Sequence, residues 1–130
     1  MTPTAYVDGE YAPLGEAKVS VLDRGFLFGD GVYEVVRLYD GSWFRFERHL
    51  ARLRDSAHAI DMEGVPTMRE FGDIVDGLES RANLEGDGYL YIQMTRGAAP
   101  RQAAYPSCEP TVVCYVDEVR RSIGSRREEG

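Results

Sequence analysis

The chain has 130 residues, 43% of them hydrophobic and 11% aromatic, which suits one domain with a buried core. Its formal net charge of −7 and pI of about 4.8 argue against non-specific binding to nucleic acid or to an anionic membrane surface. Cys108 and Cys114 lack the spacing of a metal or redox motif, and no stretch has transmembrane length. We therefore expect a cytoplasmic protein with two buried free thiols and no metal site.

The first residues are predicted to form short strands joined by tight turns. Residues 5–12 alternate around Asp8-Gly9, a dipeptide that is favoured in two-residue hairpin turns, so we predict a hairpin there. A further strand is predicted over residues 16–21. It contains Lys18, the only lysine of the chain, on an exposed face.

Residues 22–39 carry the most distinctive pattern, a glycine-rich loop that leads directly into a strand. The loop glycines are Gly25, Gly29 and Gly31. From residue 32 to 39 the alternation places Tyr33 and Val35 on one face of the strand and Glu34 on the other. The spacing fits neither the dinucleotide-binding fingerprint nor the phosphate loop of nucleotide hydrolases. On spacing alone, a plain turn before a strand explains the pattern equally well.

Two helices are predicted from apolar residues that recur at helical spacing. The first covers residues 46–60 and carries His49 and Arg52 on one flank. The second covers residues 68–84, and the sequence from Thr67 to Glu70 reads as a capping box at its start.

Two more strands are predicted before a polar tail. Residues 89–96 alternate, with Tyr91 on one face and Arg96 on the other, and residues 111–116 have the composition of a buried strand. The tail after Asp117 has the composition of a disordered segment. Together the elements predict an α+β domain in which two helices cover one face of a mostly antiparallel sheet.

Two motifs resemble the N-terminal signature of the class IV aminotransferases, the pyridoxal-phosphate (PLP) enzymes of fold type IV. They are Asp23-Arg24-Gly25 and the run from Phe28 to Glu34, Phe-Gly-Asp-Gly-Val-Tyr-Glu. The chain looks most like the D-amino-acid aminotransferase group, but it matches only the first half of a family member. The resemblance implies the small N-terminal domain of that fold over residues 1–118. It also implies the start of an interdomain linker over residues 119–130 and a second domain that is absent from this chain.

The resemblance also implies roles for individual side chains. The pattern HxxRLxxS, which starts at His49, matches a family helix whose arginine binds the cofactor phosphate, and that arginine is Arg52 here. On the residues alone, a solvated arginine paired with Asp55 or Glu47 is the simpler interpretation. Tyr33 and Val35 would face the substrate side of the pocket, although Tyr33 could equally be a cross-strand packing residue.

Tyr91, Arg96 and Arg101 resemble a strand and a Thr-Arg-Gly-x-x-x-Arg loop that contribute to substrate binding in the family. In the D-amino-acid group the second arginine, here Arg101, reaches from the partner subunit to hold the substrate α-carboxylate. A histidine follows two residues later in that group, whereas this chain has Ala103. D-amino-acid, branched-chain, aromatic and (R)-amine-type substrates, and lyase chemistry, therefore all stay open.

The family's lysine, which holds PLP as a Schiff base, belongs to the second domain, so we expect it beyond Gly130 and expect no catalytic residue in this chain. The resemblance implies a homodimeric aminotransferase that acts on an amino acid and a 2-oxo acid. The isolated chain is expected to be inactive and to bind PLP weakly or not at all. Two alternatives stay open: a PLP lyase that resembles aminodeoxychorismate lyase, and a non-catalytic module for dimerisation or binding.

Overall fold

A computed structural model describes residues 3–82, 84 and 86–119 of the chain. The strands are β1 (Thr4–Val7), β2 (Glu10–Pro13), β3 (Gly31–Tyr39), β4 (Ser42–Trp43), β5 (Gly88–Thr95) and β6 (Thr111–Glu118). The helices are α1 (Arg24–Phe28), α2 (Phe46–Ala59) and α3 (Met68–Ala82), with a 3-10 turn at Leu14–Glu16.

The strands form one sheet in the order β2-β1-β6-β5-β3-β4, and every neighbouring pair is antiparallel. At the centre of the sheet, β5 pairs with β3 on one side and β6 on the other. Tyr91 lies opposite Val35 in one pair and opposite Tyr115 in the other. The predicted α+β fold, an antiparallel sheet with two helices, is confirmed.

The core lies between the sheet and helices α2 and α3. Alternate strand residues enter it, among them Val36, Leu90 and Ile92, and they meet Leu53 and Phe71 from the helices; all of them are fully buried. Each such side chain contributes about 1.5–3 kcal/mol by leaving water. The predicted alternation of β3 is thereby confirmed, because its other residues lie on the open face of the sheet, which α2 and α3 do not cover.

Local sequence signals account for the hairpin and for the start of α3. Asp8 and Gly9 take positive φ values of 45° and 94°, which suit a two-residue turn between β1 and β2. At the start of α3, the Thr67 hydroxyl accepts a bond from the Glu70 amide at 3.1 Å. The Glu70 carboxylate accepts one from the Thr67 amide at 3.0 Å. Both predictions are confirmed.

Two local predictions were wrong. Residues 16–21 form no strand. Glu16 ends the 3-10 turn, and residues 17–21 are an irregular segment in which Val19 and Val21 are 47% and 73% exposed. Their alternation reflects no buried face, although Lys18 is exposed as expected.

The second error concerns the glycine-rich segment, which was predicted as a loop without a helix. It contains α1, which the Asp23 side chain caps through the Gly25 amide at 2.8 Å. A helix of five residues is too short to show helical periodicity.

Three further expectations concern the cysteines, the tail and membrane insertion. Cys108 and Cys114 are both free thiols as predicted, but only Cys114 is buried. The expected linker and polar tail fall largely on residues 120–130, outside the described residues. In the part of the chain that the structure describes, no helix is long and apolar enough to cross a membrane.

Candidate functional site

Glu34 holds the guanidinium of Arg52 by two hydrogen bonds. Arg52 donates from Nε to Oε2 at 2.9 Å and from Nη2 to Oε1 at 2.7 Å. His49 lies one turn earlier on α2, and its Nδ1 is 2.8 Å from the same Oε1 atom. Burial opposes ionisation of Glu34, but the bonds and charge from Arg52 and His49 outweigh it and lower its pKa. The carboxylate is therefore ionised and fixes the plane of the Arg52 guanidinium.

A cavity of about 420 Å³ opens along α2 beside this ion pair. Its lining residues are Arg45, Arg48, His49, Ala51, Arg52 and Asp55. A group of guanidinium side chains around a cavity suits a phosphate, because each can present parallel N–H groups to phosphate oxygens. The simpler interpretation of Arg52 as a partner of Asp55 or Glu47 does not hold among the described residues, where its ion pair is with Glu34.

Tyr33, Val35 and Tyr91 lie together on the open face of the sheet. Val35 is directly opposite Tyr91, and the rings of Tyr33 and Tyr91 stack with centroids 5.8 Å apart. The stack continues to Tyr115, whose ring centroid is 5.3 Å from that of Tyr91. Tyr33 is 63% exposed, so the row presents an aromatic wall. The sequence reasoning missed Tyr115; its register opposite Tyr91 is the signal that could have found it.

Two tyrosines of β5, Tyr89 and Tyr91, have raised pKa values and stay protonated at neutral pH. Burial, then the neighbouring Tyr115 and Tyr33, raise the pKa of Tyr91, whose hydroxyl donates to Gln93 Oε1 at 3.0 Å. Burial, then Tyr115 and Asp117, raise the pKa of Tyr89 to about 12. These two hydroxyls are therefore uncharged, and the Tyr91 hydroxyl directs its proton to Gln93.

Arg96 is buried and its donors are directed to the protein itself. Its Nε donates to Asp30 Oδ2 at 2.8 Å, and its Nη2 donates to the Ile60 carbonyl at 2.6 Å. Its Nη1 donates to the Asp61 carbonyl at 3.3 Å. The Arg96 guanidinium therefore ties the end of β5 to the residues that follow α2.

Asp30 also binds Arg24, a residue that the sequence reasoning gave no individual role. Arg24 Nε donates to the same Oδ2 atom at 2.8 Å, and its Nη1 donates to the Gln102 carbonyl at 2.7 Å. Burial raises the pKa of Asp30, but the bonds and charges of Arg96 and Arg24 outweigh this and lower it. The shared carboxylate thus links residues 24–30 to Arg96, and the two arginines extend the link to the carbonyl groups of residues 60, 61 and 102.

Arg101 is exposed in the loop that this ion cluster anchors. Its guanidinium carbon is 5.4 Å from the ring centroid of Phe28, and the Arg96 guanidinium lies 3.8 Å from the ring centroid of Tyr105 in the same loop. Within the described residues, no hydrogen bond, ion pair or ring contact joins Arg101 to Tyr33 or Arg52. The chain therefore brings Tyr33, Val35 and Tyr91 together, and it displays Arg101 separately.

Among the described residues, no group of three or more His, Cys, Asp or Glu side chains is arranged to hold a metal ion. The donor set of the site is made of guanidinium and phenol groups, which recognise anions. This chemistry fits a phosphate and a carboxylate.

Residues 31–128 match the sequence profile of the family described as Amino-transferase class IV. The D-alanine aminotransferase of Staphylococcus haemolyticus is 39% identical over 118 residues, which are 89% of this chain and 42% of the relative. The branched-chain amino acid aminotransferase of Escherichia coli superimposes with a TM-score of 0.83 at 22% identity, over 92% of this chain and 42% of its own.

A second solved structure shares the fold. It is a T.th. branched-chain amino acid aminotransferase complexed with N-(5'-phosphopyridoxyl)-L-glutamate, with a TM-score of 0.80 at 24% identity over 92% of this chain and 41% of its own. The present chain thus spans 42% of the length of the Staphylococcus relative and a similar share of both solved structures. By its profile match and its relatives, this chain belongs to the class IV aminotransferase family.

Proposed function

We propose that this chain supplies the phosphate contact and part of the substrate wall of a PLP-dependent aminotransferase. The enzyme transfers an amino group between an amino acid, of the D- or branched-chain type, and a 2-oxo acid. The observation that carries the proposal is Arg52, which Glu34 holds at the edge of a cavity also lined by Arg45 and Arg48. Family membership supports it, since a protein of this family has to bind a phosphorylated cofactor.

The open sheet face gives the proposed substrate side. When bound, PLP supplies the electron sink that lets the amino group leave one substrate and join the next. Tyr33, Val35 and Tyr91 would exclude water from one side of the reacting groups, because their side chains form a continuous apolar and aromatic surface. Because the pKa of Tyr91 is raised, its hydroxyl would stay uncharged there and would not repel a carboxylate.

We assign different tasks to the two arginines of the loop after β5. Arg101 is exposed and is proposed to hold the substrate α-carboxylate, reaching it from a partner subunit. Arg96 is 3% exposed and is proposed to act on substrate binding through the loop, since its donors already bind Asp30 and two carbonyl groups. Arg96 would then contribute to substrate binding by holding the loop in position.

The remaining machinery is proposed to lie outside this chain. Lys18, its only lysine, is exposed in the irregular segment that follows the 3-10 turn. We therefore propose that the lysine that carries the cofactor belongs to a second domain, with residues 1–118 forming the first domain and residues 119–130 starting the linker.

We also propose a homodimer in the cytoplasm. Val21 is 73% exposed and Phe26 is 72% exposed, so apolar surface is available for a partner subunit or a second domain to cover. Cys108 and Cys114 are free thiols, which is the usual state in a reducing compartment.

Pyridoxamine 5′-phosphate tests the phosphate site without forming covalent adducts, because it has no aldehyde. We would titrate the ¹⁵N-labelled chain with it and with pyridoxamine, and compare the dissociation constants. We expect weak binding by the isolated chain that still favours the phosphorylated compound, and we expect Arg52→Ala to remove that preference. Arg69→Ala is the matched control, since Arg69 is an exposed arginine of α3 that does not line the cavity. A preference that survives in Arg52→Ala would contradict the proposal.

A further inference from the structure

We propose that Glu34 and His49 are positioning residues that orient Arg52 for the phosphate, so that a negatively charged side chain strengthens the binding of an anion. The inference rests on the proposed role of Arg52. It goes further by assigning tasks to Glu34, which binds Arg52, and to His49, which contacts Glu34.

The first step is the contrast between Glu34 and Arg52. The side chain of Glu34 is 9% exposed and starts from the central part of β3, whereas the side chain of Arg52 is 67% exposed. An exposed arginine has many rotamers, and few of them direct its N–H groups towards one point. Two parallel bonds to a carboxylate fix both the direction and the plane of the guanidinium.

The second step is the support that His49 gives to Glu34. His49 and Arg52 are three residues apart on α2, so their side chains lie on the same flank of the helix. Both meet Glu34 Oε1, His49 at 2.8 Å and Arg52 at 2.7 Å. Two residues therefore hold the carboxylate, and its rotation about the last side-chain bond is restricted.

The third step is that the positional and electrostatic effects of Glu34 have opposite signs. A carboxylate beside a phosphate site repels the phosphate, so charge alone predicts that neutralising Glu34 tightens binding. Orientation predicts the reverse, because Arg52 would then regain its rotamers. Nη1 of Arg52 makes no hydrogen bond within the described residues, so it can be presented to a ligand while Nε and Nη2 bind Glu34.

The test is the preference for pyridoxamine 5′-phosphate over pyridoxamine, measured by titration of the full chain. For Glu34→Gln we expect the preference to fall about three- to ten-fold, the effect of one well-oriented hydrogen bond. The matched control is Asp55→Asn, which removes one negative charge from the lining of the same cavity. We expect that control to leave the preference unchanged or to raise it slightly.

A second variant separates position from charge and covers the case in which Glu34→Gln fails to fold. Glu34→Asp keeps the charge but shortens the side chain by one carbon. Orientation predicts a reduced preference for Glu34→Asp, whereas charge alone predicts no change. His49→Ala should reduce the preference in the same direction and by less, because it removes the support of the carboxylate and keeps the ion pair. The dispersion of the amide spectrum establishes which variants are folded.

The inference would be overturned if the preference for pyridoxamine 5′-phosphate rises or stays constant in Glu34→Gln. If Glu34→Gln does not fold, a constant preference in a folded Glu34→Asp would overturn it. Arg52→Ala distinguishes this failure from that of the proposed function. If Arg52→Ala removes the preference and the Glu34 variants do not reduce it, only the positioning role fails. If Arg52→Ala has no effect, the phosphate site itself is wrong.

Discussion

Arg96 and Asp30 form a buried ion pair with Nε and Oδ2 2.8 Å apart, and their side chains are 4% and 8% exposed. Arg24 shares the same oxygen, so two buried guanidinium groups depend on one carboxylate. Removing one partner of a buried pair is costly because the other charge remains without compensation.

We therefore predict that Asp30→Ala lowers the free energy of unfolding by about 3–5 kcal/mol, the range for breaking a buried pair. Urea denaturation of the wild-type and variant chains measures this difference. Asp73→Ala is the control, because Asp73 is exposed on α3 and its loss should change the free energy by less than about 0.5 kcal/mol. A loss below about 1 kcal/mol for Asp30→Ala would show that the ion cluster does not hold the fold together.

Stability should also fall in acid. The pKa values of Asp30 and Glu34 lie below their ordinary values of 3.8 and 4.5, because each binds two basic side chains in the folded state. These groups therefore contribute stability that is fully present above their ordinary pKa values and is lost as the pH falls through the lower folded-state values. We expect the free energy of unfolding to drop as the pH falls below 4.5, measured by urea denaturation at several pH values.

The same titration of Glu34→Gln supplies the control for the acid effect. This variant lacks one of the two depressed carboxyl groups, so its loss of stability in acid should be smaller than that of the wild-type chain. Equal pH dependence in the two proteins would mean that the Glu34 pairs add no stability.

The loop that carries Arg101 should loosen when Arg24 becomes lysine. Arg24 uses Nε for Asp30 and Nη1 for the Gln102 carbonyl, two directions that a lysine ammonium cannot reproduce at once. We expect faster amide hydrogen exchange for residues 97–105 in Arg24→Lys and unchanged exchange in α3. Arg69→Lys serves as the control for the loss of an arginine. Unchanged exchange in the loop would show that the Gln102 contact does not restrain it.

The capping box at the start of α3 offers a local test. Thr67→Ala removes the oxygen that accepts from the Glu70 amide at 3.1 Å, which should cost about 1 kcal/mol of stability. Thr67→Ser keeps this oxygen and should cost little. Thermal and urea denaturation compare the three proteins, and an equal loss for the two variants would exclude the capping bond as the cause.

Turnover is expected to be absent when this chain is tested alone. We predict no measurable amino transfer from D-alanine or a branched-chain amino acid to 2-oxoglutarate with PLP added, because Lys18 is the only lysine and lies in an exposed, irregular segment. A coupled assay for pyruvate or the branched-chain 2-oxo acid measures this. Turnover that persists in Lys18→Arg would place a catalytic group elsewhere in the chain, and turnover abolished by that change would assign the role to Lys18.

The elements with regular burial could be predicted from the sequence. Along β3, Val36 and Leu38 alternate with more exposed residues. Along α2, Leu50, Leu53 and Ala57 recur at helical spacing. Each pattern corresponds to a buried face. Residues 16–21 showed the same alternation without such a face, and only the packed structure distinguishes the two cases.

The sequence predicted individual residues of the candidate site but not the contacts between them. Resemblance to a family motif indicated Arg52, and alternation placed Glu34 on the face of β3 opposite to Tyr33. Nothing in the local pattern showed that Arg52 and Glu34 bind each other. The Asp30 cluster joins residues that are 6 and 66 positions apart in sequence, and its bonds depend on how α1 and β5 meet. Partners of this kind follow from tertiary packing, which short-range periodicity does not encode.

The phosphate site is tested most directly by mapping amide shifts on the ¹⁵N-labelled chain during titration with pyridoxamine 5′-phosphate. We predict that the largest shifts fall on residues 45–55, around the cavity that Arg45, Arg48 and Arg52 line, and that pyridoxamine does not reproduce them. Shifts that are identical for the two compounds, or that fall on another surface, would contradict the assignment of Arg52 as the phosphate contact.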